Sequence, residues 1–242
     1  MKYGIVSDVH GNLPALQSAL HMCAEMKVDE IFFLGDAVGY GASPNQCITL
    51  IRREASAFIA GNHDFGAVGK TNIDTFNSYA REALYWTERI LTKDNCHYLG
   101  KRSLTMERDD MLLVHASPYE PHQWHYIFKP QEAMRNFFAF KHHICFIGHS
   151  HLPCVISMSK DGRLSLERIT SLTLQDDTRY IINVGSIGQP RDGDPRASFG
   201  ILDTVNREYT LNRVHYDIKE AQMRILSMGL PRFLAERLAI GR

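Results

Sequence analysis

The chain has 242 residues, with 27 Lys+Arg against 27 Asp+Glu, so its formal net charge is zero. Its 44% hydrophobic and 22% charged composition is that of a globular chain long enough to bury a sizeable core, which excludes disorder, collagen and coiled coil. Balanced charge gives no general basic field for nucleic acid, and no run approaches the ~18 apolar residues of a membrane-spanning helix. The five cysteines form no CxxC pair, which points to reduced thiols in a cytoplasmic protein. Twelve histidines are the one compositional oddity.

In chain order, Lys2–Ser7 reads as a first strand; the chain turns acidic at Asp8, where a signal peptide would still be apolar. Asn12 is placed to cap a helix from Leu13, with Pro14 in the first turn and Leu16, Leu20 and Cys23 along one stripe. Ile31–Leu34 is a second strand, Asn45–Glu54 a helix, Ala57–Ala60 a strand and Phe76–Leu91 a helix. Met111–Val114 and Ile144–Ile147 follow as further strands, and continuous apolar runs this short suit strands buried on both faces. Beyond His151 the pattern changes to hairpins. Lys160-Asp161-Gly162 turns between Val155–Ser159 and Leu164–Ile169, Tyr180–Val184 is another apolar run, and Ser198–Leu202 pairs with Tyr209–Tyr216. Lys219–Arg242 reads as two short amphipathic helices broken at Gly229-Leu230-Pro231. With no repeat, low-complexity tract or linker, residues 1–242 form one domain of layered α/β type with mixed sheets, in which 70–106 is expected as a helical cap over the cleft.

Polar residues stand just past the ends of the buried runs: Asp8 and His10, Asp36, Asn62 and His63, His115, then His149 and His151. Loops at that end of an open α/β sheet converge on one crevice, so these side chains can meet around a metal. Carboxylates, an amide oxygen and imidazoles without thiolate suit Mn²⁺, Fe or Zn²⁺ and argue against a structural cysteine zinc site. The set is too large for one catalytic ion with an open position. Two ions sharing a carboxylate, roughly 3.5–4 Å apart, would use it, polarising phosphate oxygens and activating a bridging water. Phosphoester hydrolysis is the natural reaction. Gly61-Asn62-His63-Asp64 and Gly148-His149-Ser150-His151 are the selective pieces; Asp8-Val9-His10 alone is weak.

In this order the motifs resemble those of the calcineurin-like metallophosphoesterase superfamily: Asp8-Val9-His10, Gly35-Asp36, Gly61-Asn62-His63-Asp64, His115 and Gly148-His149-Ser150-His151. The stretch 183–196, NVGSIGQPRDGDPR, with Asp203, is similar to the small bacterial and archaeal phosphodiesterase branch. The resemblance implies a four-layer αββα sandwich of two mixed sheets with a di-metal site at their edges. It implies one ion on Asp8, His10 and His151, another on Asn62, His115 and His149, and Asp36 bridging both. It leaves His63 outside the ligand set, facing the scissile phosphate to protonate or stabilise the leaving oxygen. The ions would be Mn²⁺, with Fe, Zn²⁺, Ni²⁺ or Mg²⁺ as alternatives. Relatives with Gly-Asp-x-Val-Asp-Arg-Gly carry an aspartate that orients the histidine and an arginine that grips phosphate. Here Gly35-Asp36-Ala37-Val38-Gly39-Tyr40-Gly41 lacks both, which disfavours a protein phosphatase.

Arg191, in a Gly/Pro-bounded loop, is the candidate replacement for that arginine and hence a substrate-binding residue. Arg196 divides between substrate contact and surface ion pairing, and Asp64 between orienting a neighbour and capping. His122, His125, His142 and His143 read as solvated or near helix caps, Trp124, Tyr126 and Phe128 as loop packing, and Cys145 and Cys154 as buried packing. The function expected is di-metal hydrolysis of phosphodiesters on a small phosphoester or nucleotide-derived substrate. The alternatives are a phosphomonoesterase, an asymmetric dinucleoside polyphosphate hydrolase, or a silent metal-binding scaffold for a protein partner. Monomer and homo-oligomer both remain open.

Overall fold

Alternate residues of the apolar runs go to different cores, as a two-residue side-chain period requires. In β1 (Lys2–Val6), Tyr3 and Ile5 enter a central core and Val6 an outer one; in β2 (Glu30–Phe33), Phe32 and Phe33 divide the same way. Across the molecule Leu113 and Phe146 join the central core, while Leu112, Val114, Cys145 and Ile147 face a third core on the opposite outer side. Three apolar layers separate four layers of structure. The computed structural model, which describes residues 1–242, is therefore an αββα sandwich.

Between β1 and β2 lies α1 (Leu13–Glu25); α2 (Pro44–Glu54), β3 (Ala57–Phe58), α3 (Asn62–Ala67), α4 (Ser78–Ile90) and α5 (Lys93–Gly100) follow. Next come β4 (Thr105–Arg108), β5 (Met111–Val114), α6 (Pro130–Phe138) and β6 (Ile144–Ile147). The strands β7 (Cys154–Ser159), β8 (Leu164–Glu167), β9 (Ser171–Thr173), β10 (Thr178–Asn183), β11 (Ala197–Asp203) and β12 (Glu208–Val214) precede α7 (Ile218–Ser227) and α8 (Arg232–Glu236). One sheet has the order β3-β2-β1-β11-β12-β9, the other β4-β5-β6-β10-β7-β8. Within the first, β1, β2 and β3 are parallel; within the second, β5, β6 and β10 are parallel, and the remaining pairings are antiparallel. Helices α1, α2, α4 and α5 supply side chains to the outer core on the first sheet, and α6 covers the second. No helix is long and apolar enough to cross a membrane.

Both anticipated hairpins form, β7–β8 and β11–β12, and the C-terminal helices break between Ser227 and Arg232. Helices α3 and α6 and strands β4 and β9 are additions to the sequence reading. Within 70–106, α4 and α5 are helical, but Thr105 and Met106 belong to the edge strand β4.

Candidate active site

The parallel strands of both sheets end toward one edge, and the candidate ligands stand on the loops that leave them. Asp8 and His10 follow β1, Asp36 follows β2, Asn62 opens α3 after β3, His115 follows β5, and His149 and His151 follow β6. Main-chain bonds tie these loops together: Asp8 N–H donates to Gly35 O (3.0 Å), His10 N–H to Asp36 O (2.9 Å) and Gly148 N–H to His115 O (2.8 Å). The two sheets are linked where His149 N–H donates to Asp8 Oδ2 at 3.0 Å. Five of the residues hold left-handed backbone: Asp8 (φ 54°), His10 (48°), Asp36 (58°), His149 (64°) and His151 (61°). That conformation costs a non-glycine residue about 1 kcal/mol or more and persists only where surrounding bonds enforce it. Two motif glycines are required by close approach. A Cβ on Gly61 would lie 2.0 Å from Asp36 Oδ1, and one on Gly148 2.3 Å from Asp8 Oδ2.

Three imidazoles are oriented by main-chain carbonyls. His10 Nδ1 lies 3.0 Å from Val38 O, His115 Nδ1 2.8 Å from Leu34 O, and His151 Nδ1 2.5 Å from Gln189 O. A carbonyl only accepts, so each Nδ1 carries the proton and each Nε2 turns toward the shared centre. There His10 Nε2 and His151 Nε2 stand 3.0 Å apart, with Asp8 Oδ1 at 3.6 Å and 3.2 Å from them. On the other side, Asp36 Oδ2 is 3.3 Å from His115 Nε2 and 3.7 Å from His10 Nε2, and Asn62 Oδ1 is 3.1 Å from His115 Nε2. The second oxygen of Asp36 accepts from His63 N–H at 2.8 Å. Two imidazole lone pairs facing each other at hydrogen-bond distance repel unless a cation lies between them, and Asp8 Oδ1 is buried without a hydrogen-bond partner. This donor set fits a divalent metal. Asp8–His10–His151, His10–Asp36–His63 and Asp8–Asp36–His115 are each close enough to hold one.

Burial works against the charge of every group here, and neighbours decide which charges survive. Burial would raise the Asp8 and Asp36 carboxyls, but the surrounding histidines, His151 for Asp8 and His115 for Asp36 foremost, hold both far below the ordinary carboxylate range. Burial would lower His115, yet Asp36 and Asp8 raise it to about 9. Burial, helped by His115 for one and Arg191 for the other, pushes His149 and His151 down to about 3. Burial likewise keeps His63 neutral.

His63 is packed among rings. The ring centroids of Tyr40, His10 and Phe76 lie 4.7, 4.8 and 5.2 Å away, and its Nδ1 is buried without a hydrogen-bond partner. Where relatives carry an orienting aspartate this chain has Gly39, whose φ is 134° and whose added Cβ would lie 2.6 Å from His63 Nδ1. The contacts of the His63 ring are with other rings and not with a carboxylate. Asp64 is structural: its carboxylate accepts from the main-chain N–H groups of Asp36 and Ala37 (2.8 Å each), Gly61 (3.1 Å) and Val38 (3.3 Å). Burial and the Asp36 charge raise its pKa to about 7, but four donors with no acceptor around it are the surroundings of a carboxylate. Asn12 caps α1 through Ala15 N–H at 3.2 Å and also donates to Gly188 O at 2.9 Å.

Arg191 is not in the cavity wall. Its Nη2 donates to Tyr40 Oη (3.2 Å) and Gln189 Oε1 (3.0 Å), placing the guanidinium beside Tyr40, while its Nε is buried without a partner. Arg196 forms a forked pair with Asp194, with contacts of 2.6–3.1 Å, which is the surface-pairing alternative.

A cavity of about 590 Å³ opens beside Asn62, His63 and His149. Lys70, Thr71, Asn72, Thr75, Phe76 and Asn77 of one segment and His122, Gln123, Trp124 and Tyr126 of another line it, together with Tyr40 and Ala80. Reading Trp124 and Tyr126 as loop packing is thus corrected: both face the cavity, and Tyr126 stacks on His149 at 4.2 Å. Phe128 is 55% exposed and packs on Tyr126. Phe76, Trp124 and Tyr126 are contributors that no motif announced: the 70–80 and 117–129 segments bring them over the strand ends, whereas Tyr40 comes from the same loop after β2 as Asp36.

The family model for the calcineurin-like phosphoesterase superfamily domain matches residues 1–207. An uncharacterised protein of Methanocaldococcus jannaschii is 39% identical over 242 residues, covering 98% of this chain and 97% of its own length. A crystal structure of a metallophosphoesterase from Sphaerobacter thermophilus superposes with a TM-score of 0.87 at 39% identity, covering 100% of this chain and 99% of the other. A hypothetical protein from Pyrococcus horikoshii OT3 shares the fold, with a TM-score of 0.79 at 18% identity and coverage of 100% and 98%. The chain belongs to the calcineurin-like phosphoesterase superfamily.

Proposed function

We propose that the protein is a di-metal-dependent phosphodiesterase. The observation that carries this reading is the facing of the His10 and His151 Nε2 atoms at 3.0 Å across from two carboxylates, all buried, beside a cavity large enough for both arms of a diester. Asp8, His10 and His151 would hold one ion, Asn62, His115 and His149 the other, and Asp36 both; Mn²⁺ suits this oxygen and nitrogen set. Bound there, the ions would supply Lewis acidity toward the phosphate and an activated water.

The residues of the chain supply the rest. His63, neutral and in the cavity wall, would hand a proton to or hydrogen-bond the departing oxygen. Tyr40 and Phe76 hold its ring in place without a carboxylate partner. The cavity wall has no arginine, and its one lysine, Lys70, is engaged with Gly100 O. Trp124 and Phe76, with the edge of Tyr126, line the cavity with aromatic surface for a planar substituent, in keeping with aryl or nucleotide-derived diesters. Arg191 would act on substrate from beside Tyr40. Residues 70–77, from the stretch read as a cap, would select the substrate, the whole chain acting as one domain. The free cysteines are in keeping with a reducing cytoplasm.

Mn²⁺-dependent hydrolysis of an aryl phosphodiester, with kcat reduced about 10²–10⁴-fold in His63→Ala at unchanged metal content, is the expected result. Preference for the aryl monoester would replace the diesterase reading by a phosphomonoesterase. A metal-loaded protein that hydrolyses neither would support the binding scaffold.

A further inference from the structure

Of the four histidines at the centre, His149 alone lacks a main-chain carbonyl to set its ring. His10, His115 and His151 are each fixed through Nδ1, whereas the buried Nε2 of His149 has no hydrogen-bond partner. Its ring contacts are aromatic instead: the His115 ring stands edge-on at 5.2 Å and 67°, and the ring of Tyr126 stacks on its face at 4.2 Å and 21°. Tyr126 is itself backed by Phe128 at 5.1 Å and 10°, so three rings lie in one stack.

The stack is anchored. Phe128 N–H and Lys129 N–H both donate to Glu132 Oε2, at 2.7 and 2.9 Å, at the start of α6. Ile127, between the two outward aromatics, is buried in the core under α6, and at the loop's other end Tyr119 N–H donates to Asn136 Oδ1 at 2.9 Å. A loop pinned at both ends to one helix thus presses a flat face onto a ring whose nitrogens the main chain leaves free. Partners that orient a metal-binding histidine are usually hydrogen-bond acceptors; here the orienting contact is stacking.

We propose that Tyr126 is the positioning residue for His149, and through it sets the affinity of the ion that Asn62, His115 and His149 would share; this rests on the di-metal reading above. Because Tyr126 also lines the cavity, the same ring forms part of the substrate wall.

The test is calorimetric titration of Mn²⁺ into chelator-stripped wild type, Tyr126→Phe, Tyr126→Leu and Tyr126→Ala, with ions per chain counted after desalting. Tyr126 is 44% exposed, so the variants are expected to fold, and thermal melts of the stripped proteins check this. One of two ions is expected to bind about 10–100-fold more weakly in the Ala and Leu variants, the other unchanged, and Phe within about 3-fold of wild type. A Leu or Ala variant with both affinities intact, or equal loss of both ions, overturns the proposal and leaves the di-metal reading standing. Wild type that takes up no second ion overturns both.

Discussion

Replacing Asp64 by asparagine isolates the device that holds Asp36 in place. Oδ2 of Asp64 accepts from Asp36 and Gly61, and Oδ1 from Ala37 and Val38. An asparagine keeps a single oxygen. In its better orientation that oxygen retains one pair of donors and turns an NH₂ group on the other pair. Two buried main-chain N–H groups lose their acceptor, at about 1–3 kcal/mol each, so about 2–6 kcal/mol of stability is expected to go. The same bonds hold Asp36 at φ 58°, hence the variant is also expected to bind Mn²⁺ more weakly. Urea unfolding of the stripped protein measures the first effect and calorimetric titration the second. Stability within about 0.5 kcal/mol of wild type would refute the reasoning, whatever happened to the metal. Weakened metal binding at unchanged stability would make Asp64 a ligand and not a brace.

Gly148→Ala places a Cβ 2.1 Å from Ser7 Oγ and 2.3 Å from Asp8 Oδ2, so a loss of about 1–3 kcal/mol and of tight metal binding is expected, read by melting and metal analysis. Metal uptake at pH 7 is expected to release about one proton, from His115 with its pKa near 9, and calorimetry in two buffers of different ionisation enthalpy measures it. Because that pKa is raised above the unfolded value of about 6.5, His115 stabilises the stripped protein fully below pH 6.5; the contribution fades as pH climbs through 9, which a pH series of melts would register. Arg191→Ala is expected to raise KM or lower kcat on an aryl phosphodiester at constant metal content; unchanged kinetics would remove Arg191 from the substrate site. Arg196→Ala, which breaks a solvent-screened pair with Asp194, is expected to leave both the melting temperature and the kinetics close to wild type, and a tenfold fall in kcat/KM would return it to the substrate site.

The strands that carry Asp8, Asp36, His115, His149 and His151 were legible because burial on both faces leaves short unbroken apolar runs, each ended by the polar residue that leaves the sheet. Asn62 and His63 were legible from their motif, although the six-residue helix they open was not, since it lacks room for a helical stripe. Strand β4 carries no apolar signature because it lies at a sheet edge with two exposed residues, and β9 carries none because it has only three residues.

Composition, apolar period and ordered motifs determined by themselves the layered α/β class, which loops carry the candidate ligands, and a metal-compatible set of oxygen and nitrogen donors. Ligand chemistry is a property of residue type, and strand ends are marked locally, so neither needs a partner distant in the chain. Tertiary structure alone decided that Asp64 braces Asp36, that His63 is held by Tyr40 and Phe76, that Arg191 stands beside Tyr40 outside the cavity wall, and that Tyr126 stacks on His149. Those contacts join segments with no common period or motif, and the pairing of neighbouring strands, with the loops and helices folded over their ends, brings them within reach.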